Sequence, residues 1–373
     1  MFESAGSIVE KILREEADDR LPEASRPDYT NLLRNCNRRR QRQRPKDPTD
    51  MDFELDMAFI NEKISSSFFR AEVRNGERRH LIFATDQQLQ LLKKAKTWYI
   101  DGTFKVVRQP FYQLLSIHSF VRSGEDIKQL PLLFAVMSGK TSDDYTQVFK
   151  GVMDILHNET RVKEFMVDFE AGMWQGLREV FVDPTIKGCA FHWNQAVWRH
   201  VQSLGLQSAY SQRDTVFTFV RKVMSIPFLP AEHVEPAIMR LKEKTTDERL
   251  ADLLEYVDRT WLKSSVWGPE NWSVFGRSVR TNNDCEGWHL KLNQHAKKAN
   301  LPFYLLLTLL CEAASLLPTQ VKMVSEGKLS RRQRRKNTSL QGKIFKLWEA
   351  YESGELSVNG LLRKCSGIYG PNA

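Results

Sequence analysis

Three runs of bulky apolar residues follow one another between residues 97 and 139: TWYIDGTFKVV, FYQLLSIHSFV and LPLLFAVMSG. Breaks at Arg108–Pro110 and Ser123–Asp126 separate them, so the pattern predicts three strands joined by turns. SDDYTQVFKGVMDIL comes next. It sets Tyr145, Val148, Phe149, Val152, Met153 and Leu156 at helical spacing, behind Ser142 or Asp143 as a cap. EFMVDFEAG then predicts a short buried strand ending in acids, MWQGLREVF a helix, TIKGCAFH a strand, and WNQAVWRHVQSLG a helix closed by Gly205. Upstream, HLIFATDQQLQLLKKA predicts a strand and a helix capped by Thr85 or Asp86. Hairpin-linked strands followed by strand–helix alternation predict an α/β fold, a mixed sheet with helices packed on it.

The pattern changes after residue 205. DTVFTFVRKVMSI and AEHVEPAIMRLKEK are helical, with little strand signal, so 206–278 reads as an all-helical insertion. Helices resume from about Asn282 to Leu317. LPFYLLLTLLCEAASLL is short for a bilayer and interrupted by Glu312, so it reads as a core helix, with no membrane partner expected. The resulting division is a basic, partly flexible arm (1–50), a small entry module (51–95), the first part of the core (96–205), the insertion (206–278), core helices (279–320) and a basic C-terminal tail (321–373).

Composition narrows the class. The 373 residues are 41% hydrophobic, which suits a globular protein and argues against wholesale disorder. The formal net charge of +9 favours a polyanionic partner. Its excess sits partly in two blocks. RNCNRRRQRQRPKDP holds Arg38, Arg39, Arg40, Arg42, Arg44 and Lys46, and KLSRRQRRKN holds Arg331, Arg332, Arg334 and Arg335. Such blocks read as nucleic-acid contacts or a nuclear address, or as solvated charge. Lys105 is a further candidate for DNA phosphate. Five widely spaced cysteines argue against a disulfide framework, and the N-terminal stretch shows no apolar leader or membrane segment.

One position resists the apolar pattern. Asp101 stands inside TWYIDGTFKVV, at the end of the first strand, and Asp168 ends the fourth. Strand ends in a mixed sheet are where polar groups converge, and two carboxylates there repel one another unless a cation joins them. Mg²⁺ or Mn²⁺ takes such oxygen ligands, and a pair of ions serves phosphodiester chemistry. Glu286, early in the helix that starts near RTNNDCEGWHLKLNQH, is the third candidate ligand, with Asn282 or Asn283 as a cap. Turn capping or a buried ion pair is the structural alternative for these acids. Glu170 reads as a supporting or solvated acid. Cys189 and His192 form a Cys-x₂-His pair, short of a full zinc set unless Cys285 and His289 join it; the pair is read as active-site support or packing, with zinc as the alternative. His289 lies three residues after Glu286, on the same helix face, as further support.

Four blocks, TWYIDGTFKVVRQPFYQLLSIHSF, VDFEAGMWQGLREVF, GCAFHWNQAVWRHVQSLGL and RTNNDCEGWHLKLN, together resemble the transposase domain of Mutator-like elements (MULE), across roughly residues 30–320. The resemblance extends to animal members often accompanied by a FLYWCH zinc finger. It implies a ribonuclease H-like core with an Asp–Asp–Glu (DDE) triad and a helical insertion before the Glu. Carried onto this chain, the triad is Asp101, Asp168 and Glu286, and the family's Cys-x-x-His signature is Cys189 and His192. It further implies a nuclear, metal-dependent DNA transposase, active or domesticated, working on double-stranded DNA as a homo-oligomer. The alternative is a catalytically silent DNA-binding or chromatin-associated protein of the same fold.

Overall fold

The structure is a computed structural model that describes residues 5–16, 22, 27–65, 67–331 and 335–370, side chains of 63–65 and 335–337 excepted. Seven strands form one mixed sheet in the order β1-β2-β5-β4-β3-β6-β7. The strands are β1 (Phe69–Asn75), β2 (Arg78–Phe83), β3 (Thr97–Thr103), β4 (Gln113–Ser123), β5 (Asp126–Met137), β6 (Glu164–Val167) and β7 (Thr185–Gly188). From β1 through β3 every neighbouring pair is antiparallel, while β3, β6 and β7 run parallel. Antiparallel neighbours need only tight turns; the parallel ones are reached through the helices Ser142–Ile155 and Ala171–Val180.

Alternation along β3 divides the core. Trp98 and Ile100 pack with Leu115, Ile117, Tyr145, Phe149 and Trp174 on one face. Tyr99 and Asp101 point to the other face, where Tyr99 packs with Met166 and Cys285. On that second face Leu114, Phe134 and Val136 pack with the helices Asn283–Ala296 and Phe303–Ser315. The apolar stretch Phe303–Ser325 has the length and composition of a membrane span. Here Leu306, Leu307, Leu309 and Leu310 are buried in the core beside β5.

A second core joins the helix Ala190–Ser203 to helices Thr215–Met224, Val234–Lys244 and Glu248–Val257. Ile344, Trp348, Leu361, Leu362 and Cys365, from helices Arg335–Glu352 and Val358–Ile368, lie buried in it. The segment expected as a basic tail therefore contributes apolar helix faces to this core. The basic block at Arg38–Arg42 lies on the helix Tyr29–Arg42, capped by Asp28, which accepts from Asn31 N at 2.8 Å.

Several local details depart from the sequence pattern. The helix Ser142–Ile155 is capped by Thr141, not Ser142 or Asp143, because Thr141 and Asp144 close a reciprocal capping box. β3 continues through Gly102, opposite Leu115, where a Cβ would meet Gln113 Oε1 at 2.9 Å. Gly205 does end its helix, at φ +67°.

Candidate active site

The second face of the sheet carries the chemistry. Asp101 is 5% exposed and sits opposite Ser116 in the β3–β4 register. Its Oδ1 accepts from Gly102 N at 2.9 Å, and its Oδ2 lies 2.9 Å from His289 Nδ1. Asp168 follows the last residue of β6, and its backbone carbonyl accepts from Trp174 Nε1 at 2.7 Å. Since β3 and β6 are parallel neighbours, the two acids leave the sheet at the same edge.

Glu286 arrives from far along the chain, in the first turn of the helix Asn283–Ala296. Asn282 seats that helix. Its backbone N donates to Cys189 Sγ at 3.2 Å and its side-chain Nδ2 donates to Ile100 O at 3.1 Å. Ala190 N donates to Arg280 O at 3.0 Å, so the segment is laced to the start of the His192 helix as well. Asn282 therefore stands at the cap position without capping; its amide is spent on β3, one residue before Asp101.

His192 links the remaining two acids. The helix Ala190–Ser203 begins directly after Cys189, which puts His192 in its first turn instead of on a strand. His192 Nδ1 lies 2.7 Å from Asp168 Oδ1, and Nε2 lies 3.5 Å from Glu286 Oε1. The side chains of Asp168 and Glu286 are each 29% exposed. Neither contact is aligned as a hydrogen bond, so Asp168 Oδ1, Glu286 Oε1 and His192 Nδ1 are buried atoms without a hydrogen-bond partner.

The electrostatics follow from this crowding. Burial raises the Glu286 carboxyl to about 7; His192 pulls it back, and the charges of Asp101 and Asp168 push it further up. Burial raises Asp168 too, the His192 contact opposing and Asp101 adding to the rise. Burial opposes a charge on His192, yet Asp168 and then Cys189 outweigh it and lift the imidazole to about 11. A proton on Asp168 would remove the charge that holds the proton on His192. The 2.7 Å separation favours the imidazolium–carboxylate form, so His192 carries the proton. Asp168 and Glu286 thus share one imidazolium, with the charge of Asp101 nearby, and neither His192 contact is a well-formed hydrogen bond. That donor set fits a hard divalent cation, which takes carboxylate oxygens.

Other candidates fall elsewhere. Asp168, Cys189 and His192 hold ligand atoms within 4.8 Å of one another, and no other described His, Cys, Asp or Glu joins them at that distance. Cys285 faces Gln129 Oε1 at 3.1 Å, and His289 faces Asp101, so neither completes a zinc set with Cys189. Glu170 lies beyond the end of β6, at the cap of the helix Ala171–Val180, 3.8 Å from Lys140. Arg38, Arg39, Arg42, Lys46 and Lys105 are exposed, and Arg40 and Arg44 are partly buried. Arg331 is 16% exposed and bound to Asp284 at 2.6 Å. Arg332, Arg334 and the side chain of Arg335 lie outside the described residues. Ser116 and His118 escaped the sequence reading altogether. Their signal was two polar residues, two apart, in the apolar run of β4, hence on one face of that strand.

Residues 97–196 match the family model of the MULE transposase domain. The match takes in Asp101, Asp168, Cys189 and His192, and Glu286 lies beyond it. No curated protein matches the chain.

Proposed function

We propose that the MULE transposase domain at residues 97–196 is the first part of a DDE-type core that cuts and joins DNA, completed by Glu286 across a helical insertion. The observation that carries this reading is that His192 joins Asp168 and Glu286 while Asp101, on the neighbouring strand, adds its charge to both carboxyls. The strand order supports it. The strands β3 to β7, three antiparallel and then two parallel with β3 central, follow the order of ribonuclease H-like domains.

In this reading Asp101, Asp168 and Glu286 hold Mg²⁺ or Mn²⁺. Bound there, the ions supply activation of the attacking oxygen and stabilisation of the leaving oxygen of a phosphodiester. The chain's own residues fix the geometry. β3 and β6 aim two acids from a rigid sheet, and Asn282 ties the Glu286 helix to β3. His192 keeps Asp168 and Glu286 apart and offers a cationic imidazole beside the place where phosphate would sit. Exposed Arg38, Arg39, Arg42, Lys46 and Lys105 offer charge to the DNA backbone. A nuclear location and a homo-oligomer complete the proposal, on the family resemblance.

The test is nicking of supercoiled plasmid and cleavage of short duplexes with Mg²⁺ or Mn²⁺. Asp101→Asn, Asp168→Asn and Glu286→Gln should each lower the rate by more than about a hundredfold, beyond the range for residues that merely support a metal ligand. Cleavage that survives in all three variants overturns the triad. DNA binding without any metal-dependent cleavage favours the catalytically silent protein instead.

A further inference from the structure

Behind Asp101 runs a line of buried polar groups that holding a metal does not by itself require. Asp101 and Ser116 face one another across β3 and β4, and His118 follows two residues after Ser116 on the same face. The His289 ring comes down from the helix above and fills the gap. Its Nδ1 lies 2.9 Å from Asp101 Oδ2, and its Nε2 lies 2.8 Å from Ser116 Oγ. Ser116 Oγ in turn lies 2.8 Å from His118 Nε2. His289, Ser116 and His118 are 5%, 0% and 1% exposed, so each must find its partners inside the protein.

With both rings neutral, the line runs one way. Asp101 Oδ2 accepts from His289 Nδ1–H, which leaves Nε2 bare to accept from the Ser116 hydroxyl. Ser116 has one hydrogen to give, so its oxygen accepts from His118 Nε2–H. Burial holds the His118 imidazole well below its usual range and keeps that ring neutral. Every donor meets an acceptor, running from His118 to Asp101. Trp288 closes the line from the side, stacked on Phe134 with centroids 5.4 Å apart and edge-on to His118 at 5.2 Å.

We infer that His289, held in one tautomer by Ser116 and His118, is the positioning residue for Asp101. Gly102 N–H and His289 Nδ1–H take one lone pair on each carboxylate oxygen, and the remaining lone pairs are held toward the shared space. One helix turn then presents both Glu286 as a ligand and His289 as the prop of another ligand, three residues apart on one face. The inference rests on the reading of Asp101 as a metal ligand. Such supporting partners are worth about ten- to a hundredfold in metal affinity.

The test uses the full chain, with Mn²⁺ as the probe and two readouts. Histidine ¹⁵N shifts in metal-free protein should show His289 protonated at Nδ1 alone and His118 at Nε2 alone, the resonances assigned from the variants. Calorimetric Mn²⁺ binding should weaken about ten- to a hundredfold in His289→Phe. His289→Asn, whose amide nitrogen can take the place of Nδ1, should recover most of that loss. Ser116→Ala should leave His289 a mixture of tautomers and weaken Mn²⁺ by a smaller factor. A His289 without a hydrogen on Nδ1 overturns the inference, as does a folded His289→Phe with wild-type Mn²⁺ affinity. Should His289→Phe fail to fold, Ser116→Ala and the tautomers decide. Wild-type protein that binds no Mn²⁺ overturns the metal reading of Asp101 and this role with it; the tautomers separate that failure from a wrong hydrogen-bond line.

Discussion

Asp144 and Asp168 are carboxylates beside the same sheet, and their surroundings are opposite in kind. The Asp144 side chain is 0% exposed and every lone pair it offers is used. Oδ1 meets Asn75 Nδ2 at 3.0 Å and His80 Nε2 at 3.2 Å. Oδ2 meets Arg78 Nη1 and accepts from Thr141 N and Thr141 Oγ1, both at 2.8 Å. Burial pushes this carboxyl up, but the bonds from Asn75, Thr141 and Arg78 more than reverse it and hold it at about 2. Asp168 is 29% exposed, has His192 as its one charged partner among the described residues, and is pushed up instead. An acid built to hold the fold is saturated with donors. An acid built to hold something else is left short of them. Asp101 lies between the two, with both oxygens bonded once.

The largest expected effect follows directly. Asp144→Ala should destabilise the protein by about 3–5 kcal/mol, because it strands His80, Asn75 and the arm of Arg78 around a hole. Arg78 is itself 44% exposed, so water takes up part of its loss and the lower end of that range is expected. Asp168→Asn should cost less than Asp144→Ala in metal-free protein, because relief from the charge of Asp101 offsets part of the lost His192 pairing. Chemical unfolding of the two variants against wild type makes the measurement. Equal losses would erase the distinction between the two acids.

What could be read from the chain divides along the same line. The strands β3 to β6 were legible because they are largely buried and so form near-continuous apolar runs. The strand β1 was not. Phe69–Asn75 is an edge strand with no fully buried residue, and FRAEVRN carries too many charges to show a pattern. Asp101 and Asp168 stood out as acids in apolar strand runs, and Glu286 as an acid early in a polar-starting helix. His192 could be named but not placed, because its role depends on a helix starting at Ala190, one residue after Cys189. Ser116 and His118 needed the β3–β4 register, and Asn282 needed the approach of two distant segments. The helix Arg335–Glu352 was hidden by the basic block before it, although Ile344 and Trp348 are buried.

A smaller effect separates the two kinds of acid by pH. Asp144 titrates lower in the folded than in the unfolded protein, so its contribution is complete above the ordinary carboxylate range and is lost as the pH falls toward about 2. Glu286 titrates higher when folded. Its contribution is complete below about 4.5 and is lost as the pH rises through about 7, because the folded state binds the extra proton over that interval. Its side chain is 29% exposed, so screening limits the change to about 1 kcal/mol. The buried, neutral His118 adds an opposing rise with pH, so the term is read as the difference between wild type and Glu286→Gln in thermal melts of metal-free protein from about pH 4.5 to 7.5. Wild type should lose stability relative to Glu286→Gln as the pH rises, and Mn²⁺ should reverse that difference by charging the site. A wild-type profile that the Gln substitution leaves unchanged would mean that Glu286 does not sit in a charge-poor, unpaired setting.

The basic residues admit the same contrast, with the smallest effect on the folded protein. Arg331 is committed: it pairs with Asp284 at 2.6 Å, lies over the Phe120 ring at 5.2 Å, and its backbone N donates to Ile127 O at 2.7 Å. Arg38, Arg39 and Arg42 stand exposed on one helix. A cation that already has a carboxylate releases no counterion from DNA, whereas a free one does. Substituting Arg38, Arg39 and Arg42 by Ala together should change stability by less than about 0.5 kcal/mol. It should lower the slope of log affinity for duplex DNA against log salt by about 0.9 for each phosphate that is no longer neutralised. Arg331→Ala should leave that slope as it is and lower stability by about 1 kcal/mol, because Asp284 and the Phe120 ring are left without their cation. Binding titrations at several salt concentrations decide the matter: a slope that moves with Arg331 and not with the helix would place the DNA on the Asp284 side of the sheet instead.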